Sequence, residues 1–566
     1  METLEPTAPA NGRGKFAWGV VAGLVIVALI AAGVVLIPRL LGTPAGTLNI
    51  TAAAMPADTH IYFSFNPHFD RLPNGDVVSK AWSDPDVRKS IEDGIRDALK
   101  DSDLDWDRDI ASWLGDEVGL GIGNLSLEAL DSLDPALPSI VLVAATRDGA
   151  QSAAFLAKWR ANLESGGAAF GEQTYRDVPT VEETDFGSET PAAYATLKDV
   201  VIVASGSQAL RAAIDAILDE NGLDRSSNYQ TASSKLRGGR AMTAYLNLGP
   251  ILKTLIEQAQ ESGELPPTAL NQAALDALNA LQSVAMGLSF EPNGLLLEMI
   301  ASIDVDQLPA ENRAALTAPG SPNRLLRAVP DSAFLHIGGQ IPPGVLEALF
   351  ADPNFADSAE LVERQLGIDL REDVFSWLTG EIALIALPGA LTGSGAGQIP
   401  FGFALLVSAA DQQLAEASAH KLIQAFADQS GSEIEEVTVG DARLRAVMDF
   451  DGNPIVLYGL LGDNLVLTLS ENAAGKIANA ADRPLADDDT FREATAPLPT
   501  SNSGYFYLRP KTIADLASLG LAISGQECVP CDLFQSVRAI AFAGEQPPAE
   551  AGVGRSMLFF LLDASQ

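Results

Sequence analysis

Much of this chain is said twice, and that repetition limits the fold more than any single motif does. LDWDRDIASWLGDEVGLGI (104–122) aligns with IDLREDVFSWLTGEIALIA (368–386). Asp105 matches Asp369, Asp109 matches Asp373, Ser112-Trp113-Leu114 matches Ser376-Trp377-Leu378 and Glu117 matches Glu381, all 264 positions apart. Four more pairs follow in the same order. They are MPADTHIYFSF (55–65) with VPDSAFLHIGG (329–339), LKDVVIVASGSQALRAAIDA (197–216) with LGDNLVLTLSENAAGKIANA (461–480), Tyr245-Leu246 with Tyr507-Leu508, and Gln282-Ser283-Val284 with Gln535-Ser536-Val537. Collinear matches with slowly drifting spacing imply a tandem duplication with loop insertions. The period is too long for a solenoid. The expected halves are 51–305 and 321–566, with a linker at 306–320 that overlaps the polar, Pro-containing stretch 311–324.

Each half mixes the two periodicities. IYFSF, VGLGIG, SIVLVAAT, VVIVAS and MTAYLNL are β-rich runs. Residues 80–100, 153–164 and 207–218 carry helical spacing. Asn293-Gly294 and Asp451-Gly452 sit between strand-like runs as hairpin turns. The expected fold class is α+β: two homologous mixed halves with largely antiparallel sheets, plus one N-terminal transmembrane helix.

That helix is read from residues 16–37, FAWGVVAGLVIVALIAAGVVLI, which hold no charge. At about 1.5 Å per residue the run spans a hydrocarbon core of about 30 Å. Arg13 and Lys15 before it favour a cytoplasmic tail at 1–15. Residues 38–50 then form a tether, and the bulk of the chain is expected outside the cytoplasm. The apolar run is long for a cleaved signal peptide, and no strong small-residue cleavage site follows it. An uncleaved single-pass anchor in the cell membrane is the expectation.

A formal net charge of −38 sets this surface against nucleic acid and anionic headgroups. The membrane, through the helix, is one expected partner. A lipid, a glycan or a protein remains open as a ligand.

The segments that carry the repeat resemble a bacterial family catalogued as domain of unknown function 3352. The carrying residues are MPADTHIYFSF and LDWDRDIASWLGDEVGLGI with their second-half echoes. The resemblance implies a membrane-anchored protein of the bacterial envelope with a large extracytoplasmic region. It implies no catalytic residue.

Few side chains point to chemistry. Asp101, Asp103, Asp105, Asp107 and Asp109 alternate like a calcium loop, but Trp106 and Ser112 stand where an EF-hand needs Gly and Glu. Capping explains them better: Asp109, matched by Asp373 in the second half, is expected to cap a short helix while Trp113 and Trp377 pack on the sheet. Cys528 and Cys531, spaced C-x-P-C, read as a disulfide staple, a redox pair or free thiols. Ser418 and Lys421 match S-x-x-K without its partner motifs. The four histidines (His60, His68, His336, His420) and two cysteines give no zinc spacing. No cofactor and no catalytic set is implied. The reading that results is a non-enzymatic binding or scaffold module. The alternatives are an extracytoplasmic hydrolase with an unrecognised site and a minor redox role through Cys528 and Cys531.

Overall fold

A computed structural model describes residues 49–68, 71–75, 104–123, 139–184, 191–261, 272–308, 318–341, 353–367, 369–378, 380–389, 401–409, 411–449, 452–515, 537–546 and 552–563, with 313, 316, 350 and 548 as isolated positions. The run 16–37, the helical pattern at 80–100, Asp101, Asp103, Cys528 and Cys531 lie outside them. Among the described residues no helix is long and apolar enough to cross a membrane.

The chain divides into two compact units. Unit 1 runs to Pro292 and takes in Leu297–Gln307; unit 2 holds Asn293–Leu296 and the chain from Leu308.

Unit 1 is one antiparallel sheet. Its strands are β1 (Ile61–Phe65), β2 (Leu114–Gly123), β3 (Ser139–Thr146), β4 (Phe170–Tyr175), β5 (Val178–Glu183), β6 (Ala193–Leu197), β7 (Val200–Ala204), β8 (Met242–Leu246), β9 (Leu281–Glu291) and β10 (Gly294–Ile303). Their spatial order is 4-5-6-7-3-2-1-8-9-10. The sequence reading missed β4 and β5, because FGEQTY and VPTVEE are too polar for a buried-strand pattern. The hairpin read at Asn293-Gly294 forms, with Pro292-Asn293 as its link and Gly294 already in β10.

Helix α1 (Gly149–Ser165) begins at Asp148, whose side chain accepts from the N–H groups of Ala150 and Gln151. It buries Phe155, Leu156 and Trp159 against Trp113, Ala144, Tyr194 and Val201. Helix α2 (Ser207–Leu218) sets Leu210, Ala213 and Ile214, all fully buried, over β3, β6 and β7. Helix α3 (Ser227–Ser233) carries Tyr229.

Unit 2 contains β11 (Leu335–Gln340), β12 (Glu381–Pro388), β13 (Phe401–Ser408), β14 (Ile434–Val439), β15 (Ala442–Met448), β16 (Pro454–Leu461), β17 (Asn464–Thr468), β18 (Gly504–Leu508), β19 (Val537–Gly544) and β20 (Val553–Leu562). The order is 14-15-16-17-13-12-11-18-19-20, antiparallel throughout. It is the order of unit 1 with every strand number raised by ten.

Alternation along the strands divides unit 2 into two faces. The inner face holds Ala383, Ile385, Leu406, Tyr507, Ala541 and Phe559, under α5 (Glu471–Ala478) and α6 (Asp489–Thr495). On the opposite face α4 (Gln412–Ser430) packs Ala419, Ile423 and Ala427 on Val407, Tyr458 and Leu465.

Candidate functional site

The acidic turn ahead of β2 is a lock, built twice. Residues Trp106–Ile110 form a single π-helical turn. Its cap is Asp105, whose carboxylate accepts from Arg108 N at 2.9 Å. Asp109 therefore does not hold the capping role expected of it. Its carboxylate reaches back instead, accepting from Asp105 N at 2.8 Å and from Lys158 Nζ at 2.6 Å. The carbonyl of Asp109 takes the indole N–H of Trp113 at 2.8 Å.

In unit 2, residues Leu370–Phe375 repeat the turn. Asp369 caps Glu372 N at 2.9 Å, Asp373 accepts from Asp369 N at 2.8 Å, and Trp377 donates to Asp373 O at 3.0 Å. Lys421 pairs with Asp373. The arrangement is the same as in unit 1, with Asp369 as the cap.

The cations hold these carboxyls below the usual carboxylate range. For Asp109 the Arg108 guanidinium leads; for Asp373 it is the Lys421 ammonium. This arrangement engages two carboxylates of the calcium pattern. Asp105 and Asp109 serve backbone N–H groups, and Asp107 is exposed. Among the described residues no group of three His, Cys, Asp or Glu side chains is set to hold a metal. Lys421, the lysine of S-x-x-K, is bound to Asp373, and Ser418 is buried in α4. Trp113 and Trp377 are both buried.

One turn further on, each unit buries a glutamate. Glu117, 1% exposed, accepts from Ile50 N at 2.7 Å, Thr51 N at 3.3 Å, Thr51 Oγ1 at 3.0 Å and Tyr62 Oη at 3.3 Å. Burial pushes its carboxyl pKa up against those donors. Glu381 accepts from Ser321 Oγ and Leu325 N, each at 2.9 Å. Both carboxylates tie the segment that precedes the unit's first strand onto the sheet. Gly119 makes room for it: a Cβ there would meet Thr51 Oγ1 at 2.3 Å.

Among the described residues His336 is one of five side chains with a buried, unpartnered polar atom. His336 occupies in β11 the place of Tyr62 in β1, opposite Tyr507 as Tyr62 is opposite Tyr245. It is buried, its Nδ1 has no hydrogen-bond partner, and burial lowers its pKa to about 4. His420 Nδ1 and Tyr458 Oη are hydrogen-bonded at 2.7 Å.

Among the described residues the outer face of unit 2 is partly open. Register places Leu558, Phe542, Phe506, Ile337, Leu384 and Leu405 side by side across six strands. A second row beside it runs Phe560, Ile540, Leu508, Leu335, Ala386, Phe403, with Phe403 exposed, Ala386 buried and the rest partly buried. No polar side chain interrupts either row. Ile337 is 46% exposed, Leu384 38%, Phe403 37% and Phe542 37%. The equivalent row in unit 1 (Phe63, Leu120, Ala244, Met286) is partly buried throughout. Sequence reasoning had no signal for this surface, because strands apolar on both sides read as buried ones.

These features define a class: a two-unit α+β chain with antiparallel sheets, each opened by a Trp-locked π-turn. The chain belongs to the family described as "Protein of unknown function (DUF3352)", matched over residues 19–562. No curated protein matches it. Two similar solved structures are crystal forms I and III of TP0453. Form I is 11% identical, covers 44% of this chain and 78% of its own, and has a TM-score of 0.24. Form III is 11% identical, covers 46% and 83%, and scores 0.23.

Proposed function

We propose that this chain is a tandem-duplicated, membrane-anchored binding module of the bacterial envelope, and that the outer face of unit 2 receives lipid acyl chains. The observation that carries this reading is the pair of uninterrupted apolar rows across β13, β12, β11, β18, β19 and β20. Large exposed apolar patches mark binding surfaces. Covering a half-exposed Ile, Leu or Phe is worth roughly 1 kcal/mol each. These rows offer no hydrogen-bonding side chain, which suits hydrocarbon better than a glycan or a polar protein surface. The uncharged run 16–37 supports an anchor that keeps the module beside bilayer lipid. With a net charge of −38, attraction to anionic headgroups is disfavoured, so the acyl chains supply the affinity. The identical strand order of the two units supports their origin by duplication.

The test is photo-crosslinking in the producing membrane. A benzophenone amino acid replaces Ile337 or Phe403 in the full chain, with exposed Glu436 on β14 as the control. Lipid-mass adducts at 337 and 403, absent at 436, are expected. Adducts only to protein, or lipid adducts equally frequent at all three positions, would overturn the reading. Removal of residues 1–37 is expected to release the chain from carbonate-washed membranes.

A further inference from the structure

We infer that unit 1 carries a separate site, a cavity ringed by opposite charges that takes a small zwitterion with an apolar body, such as a dipeptide of apolar residues. The cavity encloses about 340 Å³. Its walls are Ile50, Ala54, Leu197, Val200, Ala216 and Ile217. That volume lies at the small end of ligand pockets, about 300–1,000 Å³, and leaves no room for a two-chain lipid.

One wall is fixed in advance. Glu117 holds the backbone of Ile50 and Thr51, so the segment through Ala54 stands in place without ligand. The opposite side is the C-terminal end of α2.

Charge at the mouth then selects the occupant. Asp224 takes up Arg225 at 3.4 Å. Lys198, Asp199 and Glu220 line the same cavity, and among the described residues none of their side chains makes an ion pair. One free ammonium and two free carboxylates therefore face one apolar space. The last turn of α2 has no basic residue, so its partial negative charge adds to the carboxylates. A ligand carboxylate meets Lys198; a ligand ammonium meets Asp199 and Glu220.

The backbone supports a role for the lysine. Lys198 has φ 52° in the β6–β7 turn, where the equivalent turn of unit 2 has Gly462 at φ 60°. A side chain is thus retained at a left-handed position that glycine fills without strain. Glu220, also at φ 52°, ends α2 in the same way.

Calorimetric titration of the full chain with Leu-Leu tests this. Saturable binding is expected, weakened about tenfold by Lys198→Gly and by the pair Asp199→Asn, Glu220→Gln. Lys198→Gly should not further weaken Leu-Leu amide, which lacks the carboxylate. The carboxamide pair should not further weaken N-acetyl-Leu-Leu, which lacks the ammonium. Lys198→Gly restores the residue that the unit 2 turn already uses, so it is expected to fold. No saturation by Leu-Leu up to millimolar levels would overturn the inference, as would variants indistinguishable from the parent. Binding only to phosphatidylethanolamine vesicles would overturn it too, by making the mouth a headgroup site. None of these outcomes bears on crosslinking at Ile337.

Discussion

The indole N–H of Trp377 donates to the backbone carbonyl of Asp373 at 3.0 Å, and the carboxylate of that aspartate takes up Lys421 from α4. One residue thus ties a turn, a tryptophan and a helix together. Asp109 does the same for Trp113 and Lys158. Each tryptophan is held twice, by packing and by one hydrogen bond.

Removing the hub should loosen both ties. Asp109→Ala is expected to cost about 1–3 kcal/mol by urea unfolding, through the lost backbone acceptor and the unpaired lysine. In double-mutant cycles with Lys158→Met and Lys421→Met, the Asp109 coupling should exceed that of Asp373. Lys158 is 29% exposed and Lys421 51%, so solvent screens the second pair more. Equal couplings would show that burial does not set the difference.

Trp113→Phe keeps an aromatic ring against Phe155, whose centroid lies 5.2 Å away, but loses the N–H donor. A loss of about 1 kcal/mol is expected, against about 3–5 kcal/mol for Trp113→Ala. If Phe and Ala cost the same, the hydrogen bond rather than the packing holds the turn.

Glu117→Ala takes the acceptor from the N–H groups of Ile50 and Thr51 and leaves the hydroxyls of Thr51 and Tyr62 with only each other. A loss of about 2–4 kcal/mol is expected. Because burial raises the Glu117 pKa, its contribution is present below the unfolded carboxyl pKa and is lost as pH rises through the folded one. Glu117→Gln should abolish that part of the pH dependence. An unchanged slope between pH 4 and 8 would assign it to other groups.

His336 acts in the acid direction. Its folded pKa of about 4 lies below the ordinary 6.5. The unfolded chain therefore binds the proton first, and stability falls as pH drops from 6.5 toward 4. The loss should level off below that window at roughly 3 kcal/mol. His336→Phe should flatten the dependence in thermal melts across this range. A wild-type melting temperature that does not move between pH 6.5 and 4.5 would refute it.

Much of this is legible in the sequence. The 264-residue spacing located both locks, and SIVLVAAT and SQALRAAIDAIL matched β3 and α2 to the residue. What sequence could not resolve has physical causes. Asp105 and Asp109 form a reciprocal pair, so residue type alone cannot say which is the cap. Lys158 and Lys421 share almost no flanking sequence, and only the helix face they occupy brings them to the aspartates. The open face is invisible because a strand with apolar residues on both sides reads the same whether one helix covers it or two. His336 gave no sign of being buried and unpaired, since its match, Tyr62, is chemically unlike it.

The strand order has a consequence for how the molecule comes into being. β1 sits mid-sheet, hydrogen-bonded to β2 on one side and to β8 on the other. Tyr62 waits for Tyr245, about 180 residues later, before its second edge closes, and such distant pairing slows folding. A chain emerging from its N-terminus therefore shows an unpaired apolar strand edge for most of the synthesis of each unit. Kinetics thus gives a protein built on this plan reason to depend on chaperones while it is being made.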